Sequence, residues 1–144
     1  LQARQNSKRF PNKVLNNILG VPLIIFLLRR LNKCKNIDQV ITVIPKNNKN
    51  QNLKKILKKY KFNYFEGSEK NVLERYYHCA KKFNFKNIVR ITADCPLSDP
   101  NMIDKFVKIF KKTNVDYLSN INPPTFPDGY DIEIFSFKAL KKLF

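Results

Sequence analysis

The sequence predicts an α/β fold in which helices alternate with the strands of a mainly parallel sheet. Short apolar, β-branched runs recur along the 144-residue chain, and helical patterns of apolar residues lie between them. Such runs are typical of strands that are buried on both faces of a sheet. Their alternation with helices predicts βαβ units with right-handed crossovers, and the length suits one domain over residues 1–144.

Four segments are predicted to be strands. Residues 40–44 (VITVI) form a continuous apolar run, and residues 62–67 (FNYFEG) and 87–93 (NIVRITA) follow the same pattern. Residues 117–120 (YLSN) are a shorter candidate. Leu1 is expected to be the last residue of a further strand, because the following residues QAR run directly into a loop.

Four helices are predicted in the intervening segments. The first starts at Pro22, and the second spans residues 50–60. Ser68 is the expected N-cap of the third, whereas the fourth has Asp99 as its N-cap and Pro100 at its first position. In each helix the apolar residues recur at three- and four-residue spacing, which indicates one buried face.

The last part of the chain departs from this alternation. Pro127, Asp128 and Gly129 predict a turn, and the alternating residues after it indicate a hairpin or a strand that reverses direction. A final helix is expected to start at Ser136, and it has no C-cap. Together with the isolated Leu1, this pattern predicts a larger α/β domain that is truncated at both ends.

The net charge of +17 permits two interpretations. A surface of this charge indicates either a binding site for a polyanion, such as nucleic acid or nucleotide phosphates, or a solvated layer of lysines. The lysines occur in pairs on helical faces along the whole chain, which favours the solvated layer.

Several classes of protein are excluded by composition. No apolar run reaches the roughly 18 residues of a membrane span. The three cysteines are far apart and are accompanied by one histidine, which argues against a structural zinc site and indicates a reduced, cytoplasmic protein. The three glycines form neither GxGxxG nor GxxxxGK[ST], so a dinucleotide site and a P-loop are unsupported. His78 and Cys95 are expected to be packed or surface residues.

Charged side chains follow several predicted strands, where ligands of open α/β sheets bind. The loop after Leu1 carries Arg4 and Lys13, whose forked and compact cations suit a triphosphate; a merely basic surface loop is the alternative. Asp94 directly follows an apolar strand, a position suited to holding Mg²⁺. It is not needed as a helix cap, because Asp99 fills that role.

An acidic cluster surrounds the turn at Gly129. It consists of Asp128, Asp131 and Glu133. The cluster is either a part of the site or a set of turn aspartates with a glutamate at a strand edge, and the residues alone leave both interpretations open.

Four segments resemble the motifs of a known family, in the same order. QARQNSKRFPNKVL, GSEKNVLERYY, RITADCPLSDP and FPDGYDIEIFS together extend over nearly the whole chain. They resemble the sugar cytidylyltransferases, which include acylneuraminate and 3-deoxy-manno-octulosonate cytidylyltransferases, and among them most of all the spore-coat polysaccharide biosynthesis type. The resemblance implies a Rossmann-like, glycosyltransferase-A-like nucleotidyltransferase fold, a three-layer sandwich that binds CTP and Mg²⁺.

The resemblance also implies roles for individual residues. Catalytic roles fall on Arg4, Lys13 and Asp94, with Asp94 as the metal ligand. Nucleotide contacts fall on residues of the first three motifs, namely Ala3, Arg4, Ser7, Arg9, Lys13, Ser68, Arg75 and Thr92. The acidic residues Asp128, Asp131 and Glu133 are implied on the acceptor side. Asn6 and Asn12 stand where the family often has glycine, and asparagine tolerates the left-handed backbone conformation best among other residues.

The implied reaction is transfer of a cytidylyl group from CTP to a sugar hydroxyl, with release of pyrophosphate, for cell-surface glycan biosynthesis. No nucleic-acid partner is expected, and relatives are commonly dimers, which allows a homodimer. Relatives supply a second metal-binding aspartate beyond the length of this chain. Two alternatives therefore stay open: a truncated homologue that binds nucleotide without turnover, and a basic nucleic-acid-binding domain.

Overall fold

A computed structural model describes residues 1–6 and 10–144 and contains seven strands and five α-helices. Short 3₁₀ helices cover Lys13–Leu15 and Asn48–Asn50. The strands are β1 (Asn17–Ile18), β2 (Val21–Pro22), β3 (Thr42–Pro45), β4 (Tyr64–Gly67), β5 (Asn87–Arg90), β6 (Tyr117–Ser119) and β7 (Glu133–Ser136). The helices are α1 (Leu23–Leu31), α2 (Gln51–Lys59), α3 (Val72–Lys82), α4 (Pro100–Thr113) and α5 (Phe137–Leu143).

The first three residues join two groups of strands into one sheet. The N–H of Gln2 donates to the carbonyl of Ile91 at 2.8 Å, and the N–H of Ala3 donates to the carbonyl of Val43 at 3.1 Å. Both bridges of Gln2, to Val43 and to Thr92, are parallel. Since β3 pairs with β4 in parallel and β7 lies between β5 and β6, the order is β4, β3, residues 1–3, β5, β7, β6.

One strand of this sheet runs against its neighbours. β7 is antiparallel to β5, with Arg90 opposite Glu133, and antiparallel to β6, with Tyr117 opposite Phe135. The prediction that the chain reverses direction after the turn at Gly129 is therefore confirmed, and so is a mainly parallel sheet.

Apolar side chains fill a core on each face of the sheet. On one face, buried residues of α1, α2 and α4, such as Leu27, Leu57 and Phe106, pack against Ile44 and Ile134. The other face is covered by α3 and α5, whose buried residues include Tyr76, Cys79 and Leu140. Helices on both faces of one sheet make the predicted three-layer α/β sandwich.

Of the two predicted helix caps, Asp99 is confirmed and Ser68 is wrong, and the predicted helix start at Ser136 is confirmed. The side chains of Asp99 and Ser136 accept hydrogen bonds from backbone N–H groups at the starts of α4 and α5, at 2.8 and 3.0 Å. The N-cap of α3 is Asn71, which accepts from the N–H of Glu74 at 3.1 Å, and not Ser68. α3 starts later because the carbonyl of Ser68 instead accepts from the Arg75 side chain at 2.8 Å.

Two segments contain structure that was not predicted. β1 and β2 form a small antiparallel hairpin around Leu19 and Gly20, which have φ angles of 49° and 78°. Residues 46–52 contain a 3₁₀ helix whose last residue, Asn50, is 1% exposed.

A basic pair lies in the last turn of every α-helix, where it complements the negative end of the helix dipole. The pairs are Arg29 and Arg30, Lys58 and Lys59, Lys81 and Lys82, Lys111 and Lys112, and Lys141 and Lys142. Because α2 to α4 each lead into the amino end of a strand, their basic pairs lie at the edge opposite the strands' carboxyl ends. In α1, Arg30 instead donates to the carbonyls of Leu97 and Ser98, which follow Asp94. Within the described residues, no helix combines the length and apolarity needed to cross a bilayer.

Candidate active site

A cleft of about 660 Å³ lies at the carboxyl ends of β3, residues 1–3 and β5. Six of the predicted site residues line it: Ala3, Arg4, Lys13, Arg75, Thr92 and Asp94. A larger, mostly apolar cavity of about 740 Å³ lies at the amino ends of β3 and β5, and its described lining includes none of the predicted site residues. The polar groups thus converge on the smaller cleft, at the edge where open α/β sheets bind ligands.

Lys13 and Asp94 meet in this cleft although they are 81 residues apart. Nζ of Lys13 donates to Oδ2 of Asp94 at 2.7 Å. Lys13 opens a 3₁₀ helix that is anchored by the buried side chain of Val14, and Asn12 before it adopts the left-handed conformation with φ 58°. Asp94 follows the segment that pairs with Gln2, so the sheet itself fixes both ends of the contact.

The environment of Asp94 keeps its carboxylate ionised. Burial acts to raise its pKa, but hydrogen bonds from Lys13, Thr92 and a backbone N–H outweigh this effect and lower the pKa below the ordinary 3.8. The side chain is 46% exposed, so it can still reach a ligand in the cleft.

The donor set fits a magnesium ion that shares its ligands with a substrate. In proteins Mg²⁺ takes one or two carboxylates together with phosphate oxygens and water. Asp94 provides one ionised carboxylate. Among residues 1–6 and 10–144, no three His, Cys, Asp or Glu side chains gather to hold a metal by themselves.

Arg75 shapes the side of the cleft that faces Arg4. It is 3% exposed, and its Nε and Nη2 donate to the carbonyls of Ser68 and Glu69 at 2.8 and 3.4 Å. Burial lowers the pKa of Arg75, and the nearby positive charge of Arg4 lowers it further. Two cations on one wall make the cleft suited to an anion. Ser68 is not among the residues that line the cleft, but its carbonyl accepts from Arg75, which lines it.

The acidic residues near the C-terminus lie outside this cleft. The carboxylate of Glu133 pairs with Arg90 and accepts from the hydroxyl of Tyr117 at 2.9 Å, so it joins three strands. Burial raises the pKa of the Cys95 thiol, and the negative charges of Asp94, Asp131 and Asp128 raise it further.

The remaining predicted residues have less direct positions. Ser7 and Arg9 lie outside the described residues. Cys95 is a buried thiol 3.3 Å from the Thr92 hydroxyl, and His78 lies half-exposed beside Glu74, as expected of residues without a catalytic role.

Besides Asn6, which was considered only as a substitute for glycine, sequence reasoning missed four polar residues of the cleft: Gln2, Asn47, Asn50 and Glu69. Asn47 and Asn50 follow Pro45, the last residue of β3, and Glu69 follows Gly67, the last residue of β4. The position of Asp94 after a strand is the signal that identified it. The same signal applied to every amide and carboxylate after β3 and β4 would have found three of the four.

The chain is similar to known proteins over nearly its whole length. The family model described as Cytidylyltransferase matches residues 1–144. The chain is 38% identical over 142 residues to an uncharacterized protein of Methanocaldococcus jannaschii, a match that covers 99% of this chain and 57% of that protein.

Two solved structures share the fold. A cytidylyltransferase from Leptospira borgpetersenii serovar Hardjo-bovis superposes with a TM-score of 0.92 at 34% identity, over 99% of this chain and 60% of that one. A CMP:2-keto-3-deoxy-manno-octonic acid synthetase complexed with CTP superposes with a TM-score of 0.80 at 12% identity, over 99% of this chain and 74% of that one.

The chain thus spans less than two thirds of the length of the Methanocaldococcus and Leptospira relatives, at 57% and 60%. Over its own length the agreement is continuous, since the family model extends from the first residue to the last. On this evidence the chain belongs to the cytidylyltransferase family.

Proposed function

We propose that the protein transfers a cytidylyl group from CTP to a sugar hydroxyl and releases pyrophosphate, for the synthesis of a cell-surface glycan. The contact between Lys13 and Asp94 carries this proposal. It brings a phosphate-binding cation within 2.7 Å of a metal-binding carboxylate, in a cleft that Arg4 and Arg75 make more positive. A triphosphate and its metal need this combination of charges.

In the proposed reaction the acceptor hydroxyl attacks the α-phosphorus in line, and the bond from that phosphorus to pyrophosphate breaks. Arg4 and Lys13 hold the triphosphate and stabilise the charge that develops on the leaving pyrophosphate. Asp94 would hold Mg²⁺, which when bound offsets negative charge on the phosphate oxygens. Nucleotide contacts are proposed for Ala3, Ser7, Arg9, Arg75 and Thr92, and Ser68 is proposed to act indirectly, through its hydrogen bond with Arg75.

The acceptor is proposed to bind beside the turn that follows Asp94. The charges of Asp128 and Asp131 act on Cys95, the residue after Asp94, and carboxylates accept hydrogen bonds from sugar hydroxyls. Glu133 extends the same side through its contact with Tyr117. The likeness of FPDGYDIEIFS to the spore-coat type favours a surface-polysaccharide sugar.

The proposal also covers the cellular location, the domain, the oligomeric state and the nucleotide of the enzyme. The free cysteines Cys34, Cys79 and Cys95 fit the reducing cytoplasm. Residues 1–144 would form the nucleotidyltransferase domain, and a homodimer is compatible with its relatives. CTP is favoured over other nucleotides by the family and by the CTP bound to the fold neighbour.

The test is pyrophosphate release by the complete protein, with CTP, UTP, GTP or ATP and a panel of acidic and neutral sugars. We expect turnover with CTP and one class of sugar. Asp94→Asn should lower turnover by about 10²–10³-fold, because it removes a group that stabilises the transition state. Asp38→Asn is the control, since Asp38 is exposed and lies away from the cleft.

Two results would contradict the proposal. If Asp94→Asn left turnover unchanged, the proposed role of Asp94 as a metal ligand would be wrong. If the protein turned over only with a nucleotide other than CTP, the proposed transfer of a cytidylyl group would be wrong. Binding of CTP without release of pyrophosphate would instead indicate the homologue that only binds nucleotide.

A further inference from the structure

Two uncharged side chains, Gln5 and Asn50, fasten the segment that carries Arg4 and Lys13 to the end of β3. We propose that these two amides are positioning residues, which hold both cations where the nucleotide phosphates bind. The inference rests on the proposed function for the identity of the ligand. Its structural part depends only on the contacts between the segment, β3 and α2.

Asn50 links the start of the segment to β3. Its side chain is buried, and Nδ2 donates to the carbonyl of Pro45 at 2.9 Å and to Oδ1 of Asn47 at 2.6 Å. Its Oδ1 accepts from the N–H of Gln5 at 2.9 Å. Since Pro45 ends β3 and Gln5 follows Arg4, the backbone next to Arg4 is tied to a rigid strand.

Gln5 links the two ends of the segment to each other and to α2. Its carbonyl accepts from the N–H of Asn12 at 3.1 Å, and its Nε2 donates to Oδ1 of Asn12 at 3.0 Å. Its Oε1 accepts from the N–H of Leu53 at 3.2 Å. The N–H groups of a first helical turn have no partner within the helix, so Gln5 satisfies one that α2 leaves open.

The clasp formed by Gln5 and Asn50 therefore fixes the residues beside both cations. Arg4 precedes Gln5, and Lys13 follows Asn12, whose left-handed conformation turns the chain into the 3₁₀ helix. Amides suit this task because they carry no charge. Carboxylates at the same places would attract the cations away from phosphate and would repel an anionic nucleotide.

The first measurement is amide hydrogen exchange in the complete protein. Asn50→Ala removes the acceptor of the Gln5 N–H, and we expect that amide to exchange about tenfold faster or more, as an opened loop does. Gln5→Ala should have the same effect on the amide of Leu53, because it removes Oε1, the acceptor of that N–H. The control is Asn48→Ala, because Asn48 is an exposed asparagine of the same 3₁₀ helix.

The second measurement separates positioning from a loss of folded protein. In both variants we expect the KM for CTP to rise and kcat/KM to fall by up to about 10²-fold, because small displacements of binding groups have effects of that size. The KM for the acceptor should not change. A smaller folded fraction would lower kcat and leave both KM values as they are.

The inference is overturned if Asn50→Ala matches Asn48→Ala in exchange and in the KM for CTP. If the wild-type protein has no turnover with any pair of substrates, the proposed function fails. In that case the role of the clasp is decided by amide hydrogen exchange rates and by calorimetric titration with CTP. If Asn50→Ala does not fold, the same measurements on Gln5→Ala decide it, because Gln5 is only partly buried.

Discussion

Lys13 and Asp94 form an ion pair in the cleft, and this has consequences for how the proposed ligands bind. A divalent cation meets a carboxylate that already accepts a hydrogen bond from an ammonium group at 2.7 Å. Asp94 can give its full charge to a metal only when Lys13 has another partner. A triphosphate offers that partner, so metal and nucleotide should each favour the binding of the other, by the same factor.

We predict that Mg²⁺ binds weakly in the absence of nucleotide and more tightly in its presence. Couplings between sites are typically about 5- to 150-fold in affinity, and we expect a value in this range. Lys13→Met should strengthen the binding of Mg²⁺ alone and reduce the effect of CTP. Calorimetric titrations measure both quantities.

Lys33→Met is a suitable control for this experiment, because Lys33 is exposed in the connection after α1. Equal affinity for Mg²⁺ with and without CTP would show that the two sites are independent.

At the level of single residues, the sequence revealed the charged part of the site and not its support. Arg4, Lys13 and Asp94 were predicted because charge directly after a buried strand is unusual and suits a ligand. Asn50 was not predicted as a site residue. It lies in the run KNNKNQN, where Asn48 is also an asparagine but is exposed. Only the packing of β3 against the first loop distinguishes the two asparagines.

At the level of elements, Gly67 allows α3 to approach β4 closely. A Cβ atom at this position would lie 2.8 Å from Cγ of Arg75 and 3.0 Å from Cε1 of Phe65. The glycine is thus required by a close contact at the end of β4. The same contact sets where Arg75 enters the cleft.

We predict that Gly67→Ala displaces Arg75 and destabilises the fold by about 1–3 kcal/mol, the usual cost of overpacking. The affinity for CTP should fall as the wall of the cleft shifts. Urea unfolding and CTP titration measure the two effects.

The double variant with Arg75→Ala tests the cause. Since the alanine removes Cγ of Arg75, Gly67→Ala should then destabilise much less, and the two changes should be strongly non-additive. Additive free energies of unfolding would show that the contact with Arg75 is not responsible.

Most elements were predictable because local signals mark them. α4 and α5 have capping side chains at Asp99 and Ser136, and their apolar residues recur at helical spacing. The hairpin of β1 and β2 was missed because two-residue strands are too short to show alternation. α3 was expected to start too early because Ser68 and Asn71 are both capping residues, and the contact of Arg75 decides between them.

At the level of the whole molecule, the sequence predicted that strands and helices alternate, but it did not predict the order of the strands in the sheet. The reversal before β7 was expected, but its place between β5 and β6 was not. That place depends on non-local pairs such as Arg90 with Glu133 and Tyr117 with Phe135. No pattern within β7 itself encodes which strands it will join.

The basic pairs at the ends of α2 to α4 form a cationic region that is separate from the cationic cleft. The pairs lie at the amino edge of the sheet, whereas the cleft with Lys13 and Asp94 opens at the carboxyl edge. In about 0.15 M salt, electrostatic interactions are screened over roughly 8 Å, so charges at one edge have little effect on ions that bind at the other. A long polyanion and a nucleotide should therefore be able to bind to the protein at the same time.

We predict that heparin binds at low salt, with an affinity that falls steeply as salt increases. Saturating heparin should leave the dissociation constant of CTP unchanged within about twofold, since helix termini and not the cleft supply its contacts. Displacement of CTP by heparin would show that the two compete for one surface. Heparin columns should therefore retain this protein in a form whose cleft is still open to nucleotide.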